Sequence, residues 1–130
     1  MKFTEVIKTE DFKKEKHVPV ISAPEKVKAN EIFDIKVTVG KEIPHPNTTE
    51  HHIRWIKVFF KPDDDLYIYE IGSFEFSSHG EAVSGPNTGS VYTEPSISLS
   101  LKINKGGSIL ALSYCNIHGL WENSFRIDIE

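Results

Sequence analysis

Glutamine is absent from this 130-residue chain, and cysteine and methionine occur once each, as Cys115 and Met1. A single cysteine rules out an intrachain disulfide, and an unpaired thiol favours the reducing cytoplasm. Arginine is confined to Arg54 and Arg126, and the formal net charge is −4. That leaves no basic stripe to track a phosphate backbone, so nucleic acid is not an expected partner. No run approaches the roughly 18–20 apolar residues of a membrane span. The opening "MKFTEVIKTEDFKKEKHVPV" lacks the apolar core of a secretory signal and carries acids that transit peptides avoid. A membrane protein is not expected.

What is present is patterned for strands. "FDIKVTV" puts Phe33, Ile35, Val37 and Val39 on one face, and "ISLSLKI" does the same with Ile97, Leu99, Leu101 and Ile103. "SFRIDIE" repeats the period of two that marks a half-buried strand. "HIRWIKVFF" and "LYIYEI" are apolar on both faces and read as central strands. "KPDDD" and "NKGG" read as hairpin turns, the second joining the 97–103 strand to "SILALSY". With no long helical period, these signals predict an all-β, immunoglobulin-like antiparallel β-sandwich with a short helical segment within residues 3–14. The length fits a single domain over 1–130.

Two stretches break the strand pattern. "SSHGEAVSGPNTGSVYTEP" at 77–95 is long for a hairpin loop, which predicts a functional or mobile excursion. In "GKEIPHPNTTEHH" at 40–52, Pro44 and Pro46 fix φ on both sides of His45, so that ring is presented rigidly. Of the six histidines, His17, His45, His51, His52 and His118 adjoin loop or strand-end signals, and His79 lies in the long loop. Neighbours on a strand face opposite ways, so only one of His51 and His52 can join a given cluster. His52 and His79 are read as structural or surface residues.

Cys115 and His118 are three residues apart, close enough for both to reach one ion from a single turn. Thiolate with imidazole suits iron, copper or zinc. A buried structural thiol and a Cys–His nucleophile remain alternatives. Zinc alone is satisfied by four ligands and leaves a fifth candidate unexplained. A blue-copper carrier needs a weak axial ligand, and the chain offers only Met1 and no glutamine. An immunoglobulin-like interaction module without chemistry is the remaining rival, separable by metal content.

"EKHVPV" at 15–20, "GKEIPHPNTTEHHI" at 40–53 and "LSYCNIHGLWE" at 112–122 together resemble the three signature segments of the superoxide reductase family. The match is to its one-iron neelaredoxin class. The resemblance implies an enzyme that reduces superoxide to hydrogen peroxide at one mononuclear non-haem iron. By the same resemblance, His17, His45, His51 and His118 are its equatorial ligands and Cys115 its axial thiolate. Glu15 matches a carboxylate able to take the sixth position in the oxidised state. Lys16 matches a lysine that draws superoxide in and helps protonate the product. The larger desulfoferrodoxins carry a further four-cysteine iron centre, which one cysteine cannot supply. An external carrier such as rubredoxin is therefore the implied electron donor, and a tetramer is the implied assembly.

Overall fold

The structure, a computed structural model, describes residues 1–130. A four-residue helix, α1 (Phe3–Val6), precedes eight strands. They are β1 (Val20–Ser22), β2 (Lys26–Val27), β3 (Phe33–Thr38), β4 (Ile53–Pro62), β5 (Tyr69–Glu75), β6 (Ser96–Leu101), β7 (Gly107–Cys115) and β8 (Gly119–Ile129). Strands β1, β3 and β6 form one sheet in that order, and β2, β8, β7, β4 and β5 form the other.

Alternation decides which side chains meet between the sheets. On β3 the inward residues are Ile35 and Val37, and Ile97 of β6 lies across from Val37. From the other sheet come Ile56, Val58 and Phe60 of β4, Ile109 and Ala111 of β7, and Ile127 of β8. Each of these side chains except the small Ala111 contributes about 1.5–3 kcal/mol by leaving water. The expected all-β sandwich and short N-terminal helix are present.

Three sequence expectations need correction. "LYIYEI" is not a central strand: the strand begins only at Tyr69, lies at the sheet edge, and leaves Leu66, Tyr67 and Ile68 exposed. "NKGG" is no hairpin, because β6 and β7 belong to different sheets and the turn carries the chain across the sandwich. The pairing is not wholly antiparallel either, since β2 runs parallel to the end of β8. Short range pattern identifies a turn but not which sheet each flanking strand joins.

Two features of the larger sheet position the site. The inward row of β7 ends in Ser113 and Cys115, both fully buried. The β4–β7 register shifts between Ile53 and Trp55, an irregularity of the kind that re-aims a strand end, here just after His51 and His52.

Candidate metal centre

His17 follows an irregular stretch and is pinned from three sides. The Ser113 hydroxyl donates to its carbonyl at 3.0 Å, tying the segment to β7 two residues before Cys115. Its ring stacks on Trp121 at 5.0 Å between centroids and 15° between planes. Its Nδ1–H donates to Oε1 of Glu15 at 2.7 Å, and its backbone N–H reaches the same oxygen at 3.2 Å. That fixes the tautomer, leaving Nε2 as a lone-pair donor, 3.1 Å from Nδ1 of His118. Burial pulls the imidazole below its ordinary value, and the Glu15 carboxylate only partly opposes this. Burial would raise the Glu15 carboxyl, but the two hydrogen bonds from His17 outweigh it and hold the group low.

His45 sits between two prolines in a loop that doubles back on itself. Gly40, at φ +86°, is where the backbone passes so close that a Cβ would lie 2.8 Å from the His45 nitrogen. The His45 Nδ1–H donates to the Pro46 carbonyl at 2.6 Å. Its Nε2 is buried without any hydrogen-bond partner, the one side-chain nitrogen or oxygen so placed. Burial is the main reason its pKa falls to about 4, so the ring is neutral at pH 7.

His51 closes a tight turn with Thr48. The Thr48 N–H donates to the His51 carbonyl at 2.9 Å, and the His51 N–H donates to the Thr48 hydroxyl at 3.0 Å. The ring Nε2 lies 3.3 Å from Nδ1 of His118. His52 points the other way, as expected from sequence although β4 begins only at Ile53, and stacks flat on His79 at 3.5 Å. Both of those rings are buried, as the structural reading of them expects.

Cys115 and Gly119 are paired across the β7–β8 hairpin, so the intervening turn folds back over the sulfur. Gly119 takes φ +82°, the left-handed conformation in which glycine carries no Cβ penalty. The His118 N–H points at Sγ at 3.4 Å, and its Nδ1 lies 3.8 Å from the sulfur. One donor atom each from His17, His45, His51 and Cys115 lies within 4.8 Å of every other. Through its short distances to His17, His51 and Cys115, His118 joins them from the exposed side.

This donor set fits a cation. Nε2 of His45 has a buried lone pair facing no proton, and uncharged groups of this kind are rare unless an ion or water completes them. Several imidazole nitrogens and a sulfur converge where no hydrogen-bond pattern satisfies them all. A transition metal accepts from each at once. Lys16 is half-buried, and its charge adds to the lowering that burial imposes on His17, His45 and His51. Its positive field therefore falls on the cluster.

Sequence reasoning did not identify Ser113, Trp121 or Asn116 as supports. The Asn116 side chain accepts from the His52 N–H at 2.9 Å and donates to the Glu50 carbonyl at 2.8 Å. It thus clamps both neighbours of His51 to the Cys115–His118 turn. Only its place beside Cys115 gave a signal.

Comparisons with known proteins point the same way. Residues 9–124 match the family described as desulfoferrodoxin. A Thermotoga maritima protein is 69% identical over 130 residues, covering 100% of this chain and 99% of its own. Its crystal structure superposes with a TM-score of 0.97, covering 100% of this chain and 98% of that one. Neelaredoxin of Megalodesulfovibrio gigas is 54% identical with full coverage of both chains. Superoxide reductase of Pyrococcus furiosus is 54% identical over 96% of this chain and 98% of its own.

Proposed function

Because the chain belongs to the desulfoferrodoxin family, we propose that it is a superoxide reductase working at one mononuclear iron held by His17, His45, His51, His118 and Cys115. The observation that carries this reading is the convergence of His17, His45, His51 and Cys115 within 4.8 Å, with Nε2 of His45 buried and unpartnered. Iron bound there supplies the single electron that superoxide accepts. Superoxide takes up that electron and two protons and leaves as hydrogen peroxide, and an external carrier of the rubredoxin type restores the electron.

The chain's own residues have separable tasks. Cys115 is fully buried, and the His118 N–H moderates the charge on its sulfur. His17 and His45 are held as lone-pair donors at Nε2 because their Nδ1 protons are committed to Glu15 and Pro46. His118 is exposed, so a small anion approaches from its side. Lys16 offsets the unfavourable net charge by placing a positive field there, and by the family resemblance it is the candidate to hand a proton to the departing peroxide. No helix is long and apolar enough to cross a membrane.

Product stoichiometry tests the reading. The iron-loaded, pre-reduced protein should form one hydrogen peroxide per superoxide consumed and release no dioxygen. Half that peroxide with dioxygen evolution would make it a dismutase instead.

A further inference from the structure

The 40–52 segment brings His45 and His51 to the site, yet residues 41–52 have no strand ladder to fix them. We propose that the long 77–95 segment is a brace for it, with His79 and Asn87 as positioning residues that set His45 and His51 for metal. This inference rests on the metal site proposed above.

The contacts fall on residues 47–50, between the two histidines. Asn87 Oδ1 accepts from the Thr49 N–H at 2.8 Å, and the Asn87 side-chain amide donates to the Glu50 carboxylate at 2.9 Å. The Thr49 hydroxyl donates to the His79 carbonyl at 2.7 Å. The Asn47 amide donates to the Thr93 carbonyl at 3.1 Å. Because that carbonyl can only accept, the Asn47 orientation is fixed; its Oδ1 lies 3.2 Å from His79 Nδ1, acceptor against acceptor, so the Asn47 tie runs to Thr93 and not to His79. The Asn87 backbone holds φ +60°, a left-handed conformation asparagine tolerates, which turns its side chain and N–H onto Thr49.

The brace is itself anchored. The His79 Nε2–H donates to the Phe76 carbonyl at 2.7 Å, and the Phe76 N–H donates to the Arg54 carbonyl at 2.8 Å, tying it to β4. Its ring lies flat on His52, the residue after His51. Displacement of His79 would therefore be felt at Thr49 and at His52, on either side of His51. Outer partners of metal-binding histidines typically account for about 10–100-fold in metal affinity.

Release of iron, or of cobalt(II) as a second probe, to excess chelator tests this alongside the melting temperature of the metal-free chain. Asn87→Gly keeps the left-handed backbone and removes only the side-chain bonds. His79→Phe keeps the stack and the carbonyl that Thr49 donates to, and removes the Nε2–H bond that anchors the ring to Phe76. Thr88→Ala is the control: Thr88 bonds Ser84 and Gly85 in the same loop and makes no hydrogen bond to 47–50. Asn87→Gly and His79→Phe should release metal about 10-fold to 100-fold faster, with Thr88→Ala at the wild-type rate and the metal-free melting points of Asn87→Gly and Thr88→Ala alike. Asn87 is exposed, so that variant should fold even where His79→Phe does not. Wild-type release rates in Asn87→Gly, or equal acceleration in Thr88→Ala, would overturn the brace while leaving the metal site standing. A wild-type chain that takes up neither metal would overturn the site and the brace with it.

Discussion

Oε1 of Glu15 accepts the Nδ1 proton of His17 at 2.7 Å, on the side of the ring away from the donor nitrogen. The carboxylate expected from sequence as a sixth ligand thus orients His17, one of the proposed iron ligands. Glu15→Ala should weaken iron binding about 10-fold, while Glu15→Gln, which can still accept at its carbonyl oxygen, should lose less. If the carboxylate also reaches oxidised iron, the alanine variant will shift the ferric spectrum as well. Equal iron affinity in all three proteins would refute the orienting role.

Cys115 is fully buried and is the only sulfur donor apart from Met1, which is wholly exposed at the chain end. Oxidation of the iron protein should give a visible thiolate-to-iron band, and Cys115→Ser should abolish it even if histidines retain some iron. Optical spectra of the two proteins at matched iron content decide the point.

Lys16 adds its field to a chain of net charge −4 that must attract an anion. Lys16→Ala should lower the second-order rate with superoxide roughly 10-fold and flatten its salt dependence, because screening acts over about 8–10 Å. Lys16→Arg should keep most of both. Pulse-radiolysis rates across a salt series provide the measurement.

Acid should attack the metal-free fold through His45. Burial lowers its folded pKa to about 4 from an ordinary 6.5, so between those values the unfolded chain binds the extra proton. Stability therefore rises with pH through that window and is lost as pH falls through it. His17 and His51 are displaced in the same direction, chiefly by burial. Denaturant midpoints of the metal-free chain from pH 7 to 4 should decline, and His45→Gln should decline less steeply. An unchanged slope would show that His45 does not carry the effect.

Ile56 lies at 0% exposure on β4 between two paired strands. Ile56→Ala should cost about 2–5 kcal/mol of unfolding free energy. The same change at the exposed Ile32 should be nearly silent. Urea titrations compare them directly.

The sequence was most legible where chemistry and period coincide. Pro44 and Pro46 announced a rigid His45, and alternation separated His51 from His52 before any geometry was known. The residues that do not repeat were harder. "LYIYEI" has an apolar composition, yet the composition does not say that Leu66 to Ile68 stay outside the sandwich while Tyr69 starts an edge strand. His79 carried no local signal of its role. Its partners Thr49, His52 and Phe76 become neighbours only when the 40–52 and 77–95 segments meet. Asn116 was hidden for the same reason, because its bonds run to Glu50 and His52 across the fold.

His17 and His118 touch although 101 positions separate them along the chain. A growing polypeptide therefore lacks a complete set of the proposed iron ligands until synthesis has passed His118, and a product stopped before Cys115 should hold iron far more weakly. An ion held by both would link residues 101 positions apart. Unlike a disulfide, it would not tether the unfolded chain; because the donors converge only on folding, its binding free energy would add to the stability of the folded state by mass action. Metal capture would then wait until the β7–β8 hairpin has brought Cys115 and His118 to the earlier histidines.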